Sequence, residues 1–354
     1  MRSGEPEFLA DPLFAAANSG KGFKSFYAEI FADARIERRY IIKGGPGTGK
    51  SSFMKRISSE AAARGRRVEH YRCSSDPDSL DGIVIDGKIA MIDGTAPHSE
   101  DTELAGARDE IIDLGAFWDS GALRQRRAEI ERLRDEKSES YKMAYRYLNG
   151  CDGIFEINRA LVLKAVEHKK LERAVSRYLS AIPRGDGANI KPAIADSFGM
   201  KGRVRFDSYE SSAKKLYVIE DHFKTANLFL RALITGALQR DCDLRVSYDP
   251  IHVSEPDAVY FCHTGDCFVI LDDTRKGDVR INMKRFVNAE RIRAVRSQVR
   301  ANDRIYDALL SSAKDSLADA GKRHFELEKI YSDSMDFEAQ KEFSSKFIKD
   351  LFDN

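Results

Sequence analysis

Arg39-Tyr40-Ile41-Ile42-Lys43-Gly44-Gly45-Pro46-Gly47-Thr48-Gly49-Lys50-Ser51-Ser52 runs from an apolar stretch through a glycine-rich loop into a sequence that suits a helix. The loop satisfies G-x-x-x-x-G-K-[ST] in full, in the strand–loop–helix context that gives the pattern its meaning. Each residue type has a physical reason. A triphosphate needs backbone N–H groups wrapped closely around its oxygens. Gly44, Gly47 and Gly49 permit that approach and the positive φ angles that go with it. A helix starting near Lys50 aims its positive end at the same point. Lys50 brings a mobile charge for the β and γ phosphoryl groups, and the Ser51 hydroxyl is placed to ligate magnesium. The expected binding set is Gly44, Gly45, Pro46, Gly47, Thr48, Gly49, Lys50, Ser51 and Ser52, with ATP and Mg2+ as ligands. The alternative is a glycine-rich loop that meets the pattern by accident.

A phosphate loop of this kind, a Walker A motif, works with a strand that ends in an acid. Ile89-Ala90-Met91-Ile92-Asp93 supplies one. Asp93 would hold the metal, through a water; alternatively it only opens the turn at Asp93-Gly94. Gly94 stands where many motor ATPases carry a water-polarising glutamate. A second acidic group follows the next apolar strand, in Cys73-Ser74-Ser75-Asp76-Pro77-Asp78-Ser79-Leu80-Asp81. Ligands sit at the carboxyl ends of strands in doubly wound sheets, so Asp76 and Asp78 are candidates to position a water, a metal water or an acceptor hydroxyl. Equally, they form an Asx-rich loop that caps a turn. His98 is a candidate sensor of the terminal phosphate or a structural side chain.

The chain repeats itself. Tyr40-Ile41-Ile42 returns as Tyr217-Val218-Ile219, Leu80 to Ile85 as Pro256 to Phe261, and Ala90 to Thr95 as Val269 to Thr274. Ile112 and Phe117 find Ile281 and Phe286, Phe155-Glu156-Ile157 finds Phe325-Glu326-Leu327, and Lys21-Gly22 finds Lys201-Gly202. The common order carries the argument. Strands are expected at Tyr40–Lys43, Arg67–Tyr71 and Lys88–Asp93, apolar enough for a buried parallel sheet. From Ala122 to Tyr147 no Gly or Pro interrupts a charged helix, Asn149-Gly150-Cys151-Asp152-Gly153 reads as a turn, and helix resumes until Pro183. The expected fold is α/β: a P-loop NTPase-type parallel sheet flanked by helices, duplicated, with a long helical hairpin appended to each half. Residues 1–182 and 190–354 form the two units, joined by a linker near Pro183, Gly185 and Gly187, and the repeats are expected to pack on each other. In the second copy the loop reads Glu220-Asp221-His222-Phe223-Lys224-Thr225-Ala226-Asn227-Leu228. It has no glycine, Asn227 replaces the lysine and Leu228 the magnesium ligand, so this half is not expected to bind a triphosphate in the usual manner.

Four stretches together resemble an uncharacterised bacterial family of tandem P-loop ATPases, ATP-binding proteins without an assigned substrate. They are Tyr40 to Ser51, Cys73 to Gly82, Asp93-Gly94-Thr95-Ala96-Pro97-His98, and Leu114-Gly115-Ala116-Phe117-Trp118-Asp119. The resemblance covers most of the chain, is strongest in the first half, and implies ATP binding by the first loop. Family members often carry an intact loop in both halves, and this chain departs from that at Glu220 to Leu228.

The 354 residues are 42% hydrophobic and 32% charged with a formal net charge of +1, which gives no whole-protein case for nucleic acid or an acidic membrane as partner. No apolar run approaches the roughly 20 residues needed to span a bilayer, and the N-terminus has no apolar signal core. The expected setting is the cytoplasm, with five reduced cysteines. Cys262, His263 and Cys267 could begin a zinc site, or be free thiols and an imidazole in a turn. Three functions fit: a nucleoside-triphosphate hydrolase or nucleotide-driven switch acting on an unknown protein or small-molecule partner, with Lys50, Asp93, Asp76 and Asp78 as the catalytic candidates; a small-molecule phosphotransferase; or a scaffold holding ATP without turnover.

Overall fold

Residue 9 and residues 12–97, 99–271 and 277–353 are described by the computed structural model. The apolar run around Tyr40 becomes the strand Arg38–Lys43, buried from Arg39 to Ile42. It pairs in parallel with Ile89–Asp93 on one side and Asp109–Asp113 on the other. The six-stranded sheet continues outward from Ile89–Asp93 through Leu80–Ile85 and Val68–Arg72 to Leu13–Phe14. The second half builds the same order from Val279–Asn282, Lys215–Glu220, Asp266–Ile270, Pro256–Phe261, Leu244–Tyr248 and Ile190–Pro192. Two mixed sheets of mostly parallel strands, duplicated and flanked by helices, therefore replace the purely parallel sheet expected. Leu80–Ile85 runs antiparallel to both its neighbours. The cause is local: Asp86 and Gly87 both take left-handed angles (φ 52° and 71°), closing a tight hairpin into Ile89–Asp93. Pro256–Phe261 is turned in the same way, with Gly265 at φ 76°.

The halves share a core. Phe14, Tyr27, Phe31, Ile41 and Ile92 of the first pack in one cluster with Ile194, Tyr209, Val218, Tyr260 and Val269 of the second. The two sheets touch through Phe14 N–H, which donates to Ile194 O at 2.7 Å. A buried ion pair, Glu69 to Arg245 at 3.2 Å, crosses the same boundary.

The helical parts depart further from expectation. Arg127–Leu163 is one continuous helix, and Ala289–Ser332 is its counterpart. The turn expected at Asn149–Gly153 is helical. Its residues serve docking instead. Gly150 lets Leu309 of the other arm approach, since a Cβ there would lie 3.0 Å from Leu309 Cδ1. Cys151 is buried and Asn149 Nδ2 donates to Gly20 O at 3.1 Å. The chain reverses after Leu163, where a short helix His168–Ala181 follows. The two long arms pair with each other, antiparallel: Leu133 meets Leu327 and Ile330, Leu148 lies with Leu317, and Val162 with Ile292. They do not fold into separate hairpins. Each arm thus ends at the opposite half. Leu171, Val175 and Leu179 cover the second sheet beside Phe229 and Leu233. Phe343, Phe347 and Leu351 of the last helix, Phe337–Asp353, cover the first sheet beside Tyr40, Phe53 and Ile57.

One buried acid gives a measurable signature. Burial pushes the Asp196 carboxyl up to about 6 from an ordinary 3.8, against the pull of Arg203 and with help from Asp257. The folded state therefore holds this proton more tightly than the unfolded chain. Its contribution favours folding at low pH and is lost as pH rises through about 6. Asp196→Asn removes the titration. The variant is expected to match the wild type near pH 4 and to exceed it at pH 7 by up to about 3 kcal/mol. Thermal melts of both proteins across that range test this, and parallel curves would refute it.

Candidate functional site

The glycine loop joins Arg38–Lys43 to the helix Lys50–Ala63, whose buried residues Phe53, Met54, Ile57 and Ala61 fix it on the sheet. Gly44, Gly47 and Gly49 take φ angles of 147°, 72° and 77°. These angles strain any L side chain, so the loop's path depends on glycine at all three positions. Thr48 is buried and its hydroxyl donates to Gly45 O at 2.8 Å. Lys50 folds back over the loop. Its ammonium donates to Gly44 O at 3.0 Å and Gly45 O at 2.8 Å, and lies 3.6 Å from Asp93 Oδ2. Ser51 Oγ, one residue on, accepts from Leu80 N–H at 3.1 Å.

The two oxygens of Asp93 have different partners. Oδ1 accepts from Thr95 N–H at 2.9 Å and shapes the turn, whereas Oδ2 faces Lys50. Burial pushes this carboxyl up, Lys50 and the Thr95 hydroxyl pull it down, and Asp81 pushes it up again. Gly94 has a steric reason. A Cβ there would lie 2.3 Å from Ile41 Cγ2, so the strand leaves no room for a glutamate at that position.

Asp76 and Asp78 line the same cleft but are held otherwise. Asp76 Oδ2 accepts from Ser79 Oγ at 2.8 Å within its own turn. Asp78 is 80% exposed and pairs with Lys201 of the second half at 2.5 Å. Asp81, which sequence reasoning did not single out, is 4% exposed and close enough to Asp93 to influence it. The repeat kept an acid at both Asp81 and Asp257, and that was the available signal. His98 lies outside the described residues, as does Asp272, which the sequence repeat matched to Asp93; the strand register sets Ile270 there instead, since Ile42 pairs with Asp93 as Ile219 pairs with Ile270.

The cleft over the loop has a volume of about 1220 Å³. Its floor is Gly44–Ser52, its side is the segment Cys73–Asp81 with Asp93, and the two long arms roof it. Arg134, Lys137 and Tyr141 come from the first arm; His324, Glu328 and Lys329 come from the second. The second half also grips the loop directly. Gln340 Nε2 donates to Thr48 O at 2.8 Å, and a Cβ on Gly45 would come 3.0 Å from the Tyr331 ring. These residues lie nearly 300 positions from the loop, and no local pattern announces them.

In the second half the corresponding loop is filled by its own chain. Asp221 Oδ1 accepts from Phe223 N–H at 3.1 Å and Thr225 N–H at 3.0 Å, and Oδ2 accepts from Ala226 N–H at 3.2 Å. A carboxylate thus sits on the helix N-terminus where an anion would bind. Asn227, in the lysine position, donates to Glu255, which also binds Arg231 and Arg159.

Cys262 packs against the shared core that holds Cys267, and His263 turns elsewhere. Cys267 is buried in the shared core, while the His263 ring meets Pro183 O at 3.0 Å. Among the described residues no cluster of three or more His, Cys, Asp or Glu is placed to hold a metal ion, and no helix is long and apolar enough to cross a membrane. Comparison of the chain with protein-family models, with curated proteins and with solved structures finds no match.

Proposed function

We propose that this chain binds a magnesium-bound nucleoside triphosphate, ATP or a close relative, in the cleft over Gly44–Ser52, and that it hydrolyses the nucleotide to switch the position of its arms. The observation that carries this reading is the contrast between the two loops. In the second half the N-terminal amides are answered by Asp221 of the same loop. In the first, the loop carries no acid of its own, and its positive-φ glycines and Lys50 line a large cleft shared with Glu328 of the second arm. Ser51 and Asp93 are the residues that would hold the metal. A phosphate-bound magnesium needs few protein ligands, because phosphate oxygens and water complete its shell, so two residues suffice although the described residues hold no cluster of three or more metal-binding side chains. Bound there, the metal would neutralise charge on the terminal phosphoryl groups. Phe325 and Phe337, left 51% and 41% exposed at the rim, offer apolar faces to a base.

Phosphate release by the purified protein tests the proposal. Asp93→Asn is expected to lower turnover by about 10- to 100-fold and to raise the Mg2+ concentration needed for half-maximal rate. An unchanged magnesium dependence would remove Asp93 from the metal's shell. A second reading, transfer to a small-molecule acceptor, is favoured by the reach of the cleft past Asp93 to Asn18, Ser75, Tyr141 and Tyr145. It exceeds the roughly 300–1000 Å³ usual for one ligand. A phosphorylated product in a metabolite mixture would select that reading; hydrolysis indifferent to every metabolite would select the first.

A further inference from the structure

The carboxylate of Glu328 lies among donors that suit a phosphoryl group. Glu328 stands in the last turns of the arm Ala289–Ser332, directly over the loop: a Cβ on Gly47 would fall 2.2 Å from its backbone oxygen. His324 Nε2 lies 3.4 Å from Glu328 Oε1. The hydrogen bond from His324, the Lys50 charge and the Gly47 N–H together hold the carboxyl below its usual range, against burial. Lys137 of the first arm lines the same cleft, near enough for that carboxylate and Lys50 to act on its charge. Glu328 therefore shares the cleft with Lys50, Lys137 and His324, drawn from the loop and both arms. Cations and amides converging on one point are what a terminal phosphoryl group requires.

The second half supplies an internal comparison. Asp119 and Asn288 cap the starts of the helical segments that carry the two arms, and Leu163 and Ser332 end them, which pairs Arg159 with Glu328. Arg159 reaches Glu255 at 2.6 Å and leaves the loop to Asp221. There the filling carboxylate belongs to the loop and cannot leave without rebuilding it. In the first half it belongs to a separate helix.

We propose that Glu328 holds the seat of the terminal phosphoryl group in the nucleotide-free protein, that the nucleotide enters by displacing it, and that Lys137 and His324 then bind that phosphoryl group. This rests on the reading of the loop as a triphosphate site. The Glu328 carboxylate and phosphoryl oxygens cannot both occupy the space over Gly47 beside Lys50, since like charges in contact repel strongly in a partly buried site. The arm carrying Glu328 has 44 residues and so extends roughly 66 Å, with its far end on the second half. Displacement at the loop is thereby coupled to the opposite end of the molecule.

The test compares affinities for Mg-ATP and AMP, by calorimetry, in the wild type, Glu328→Gln, Glu328→Ala, Lys137→Met and Lys50→Ala. AMP has no group that reaches the seat. Both Glu328 variants are expected to bind ATP about tenfold more tightly and AMP within twofold of wild type. Lys137→Met is expected to bind ATP about tenfold more weakly, again with AMP unchanged. If the wild type binds ATP through Lys50 while neither Glu328 variant gains affinity, this proposal is overturned and the loop assignment stands. If the wild type binds no nucleotide, or Lys50→Ala binds as well as it does, both fall. Equal changes for ATP and AMP would mark a structural role and overturn the displacement. Should Glu328→Gln fail to fold, Glu328→Ala and Lys137→Met carry the comparison.

Discussion

Lys50→Ala is expected to weaken ATP binding by at least 100-fold and to reduce phosphate release to background, with little change in melting temperature. The ammonium has no apolar role. It donates to two loop carbonyls and lies near Asp93, all at the cleft surface. These contacts hold a mobile group at the site, and a phosphate would draw it off them, because charge-assisted bonds to an anion are stronger than bonds to neutral carbonyls. Each such bond contributes about 1.5–3 kcal/mol, and two of them account for a factor above 100 in affinity. Loss of the lysine also leaves Asp93, a carboxyl already pushed up by burial, with less to hold it ionised. Its protonation should spread to higher pH in the variant, so any residual magnesium-dependent activity should be lost at a higher pH on acidification than in the wild type. Nucleotide titration by calorimetry decides the first part. Wild-type affinity in a folded Lys50→Ala protein would place the nucleotide elsewhere.

What could be read from the sequence was what neighbouring residues dictate. Arg39 to Ser52 carries its strand, its three positive-φ glycines and its helix start within one short segment, and the structure places them so. The duplication was legible because matching strands kept matching residues in the same order, Ile112 with Ile281 and Leu80–Ile85 with Pro256–Phe261. The direction of Leu80–Ile85 was legible too, in Asp86-Gly87, but apolar continuity suggested a parallel strand. Other features depend on distant partners. Gly150 signals a turn in isolation, yet lies inside a helix because Leu309 needs the space. Phe325 pairs with Phe155 by residue type, whereas the helix caps at Asp119 and Asn288 shift the register by one and bring Arg159 opposite Glu328. Glu328, His324 and Gln340 reach the loop only because the arms cross between halves, and no periodicity within an arm encodes that.

Removing Phe337–Asp353 is expected to destabilise the first sheet, although the helix follows the second in sequence. Phe347 packs edge-on to Tyr40 at 5.1 Å and against Phe53 at 5.5 Å, and Phe343 lies 6.2 Å from Phe53. Without the helix, Tyr40, Phe53 and their neighbours would face water, and Thr48 O would lose Gln340. The milder variant Phe347→Ala should cost about 2–4 kcal/mol, the range for truncating a packed aromatic, with the lower end more apt because Phe347 is only partly buried. Deleting the whole segment should exceed that several-fold, which is comparable to the entire stability of a typical domain. The location of the damage is the informative quantity. Hydrogen exchange should quicken first in Arg38–Lys43, Lys50–Ala63 and Ile89–Asp93, while Lys215–Glu220 and Asp266–Ile270 keep their protection because His168–Ala181 still covers them. The opposite pattern, with the second sheet loosened and the first unchanged, would mean that each helix serves the half it belongs to in sequence. The exchange of arms, and with it the route from the loop to the far half, would then be wrong.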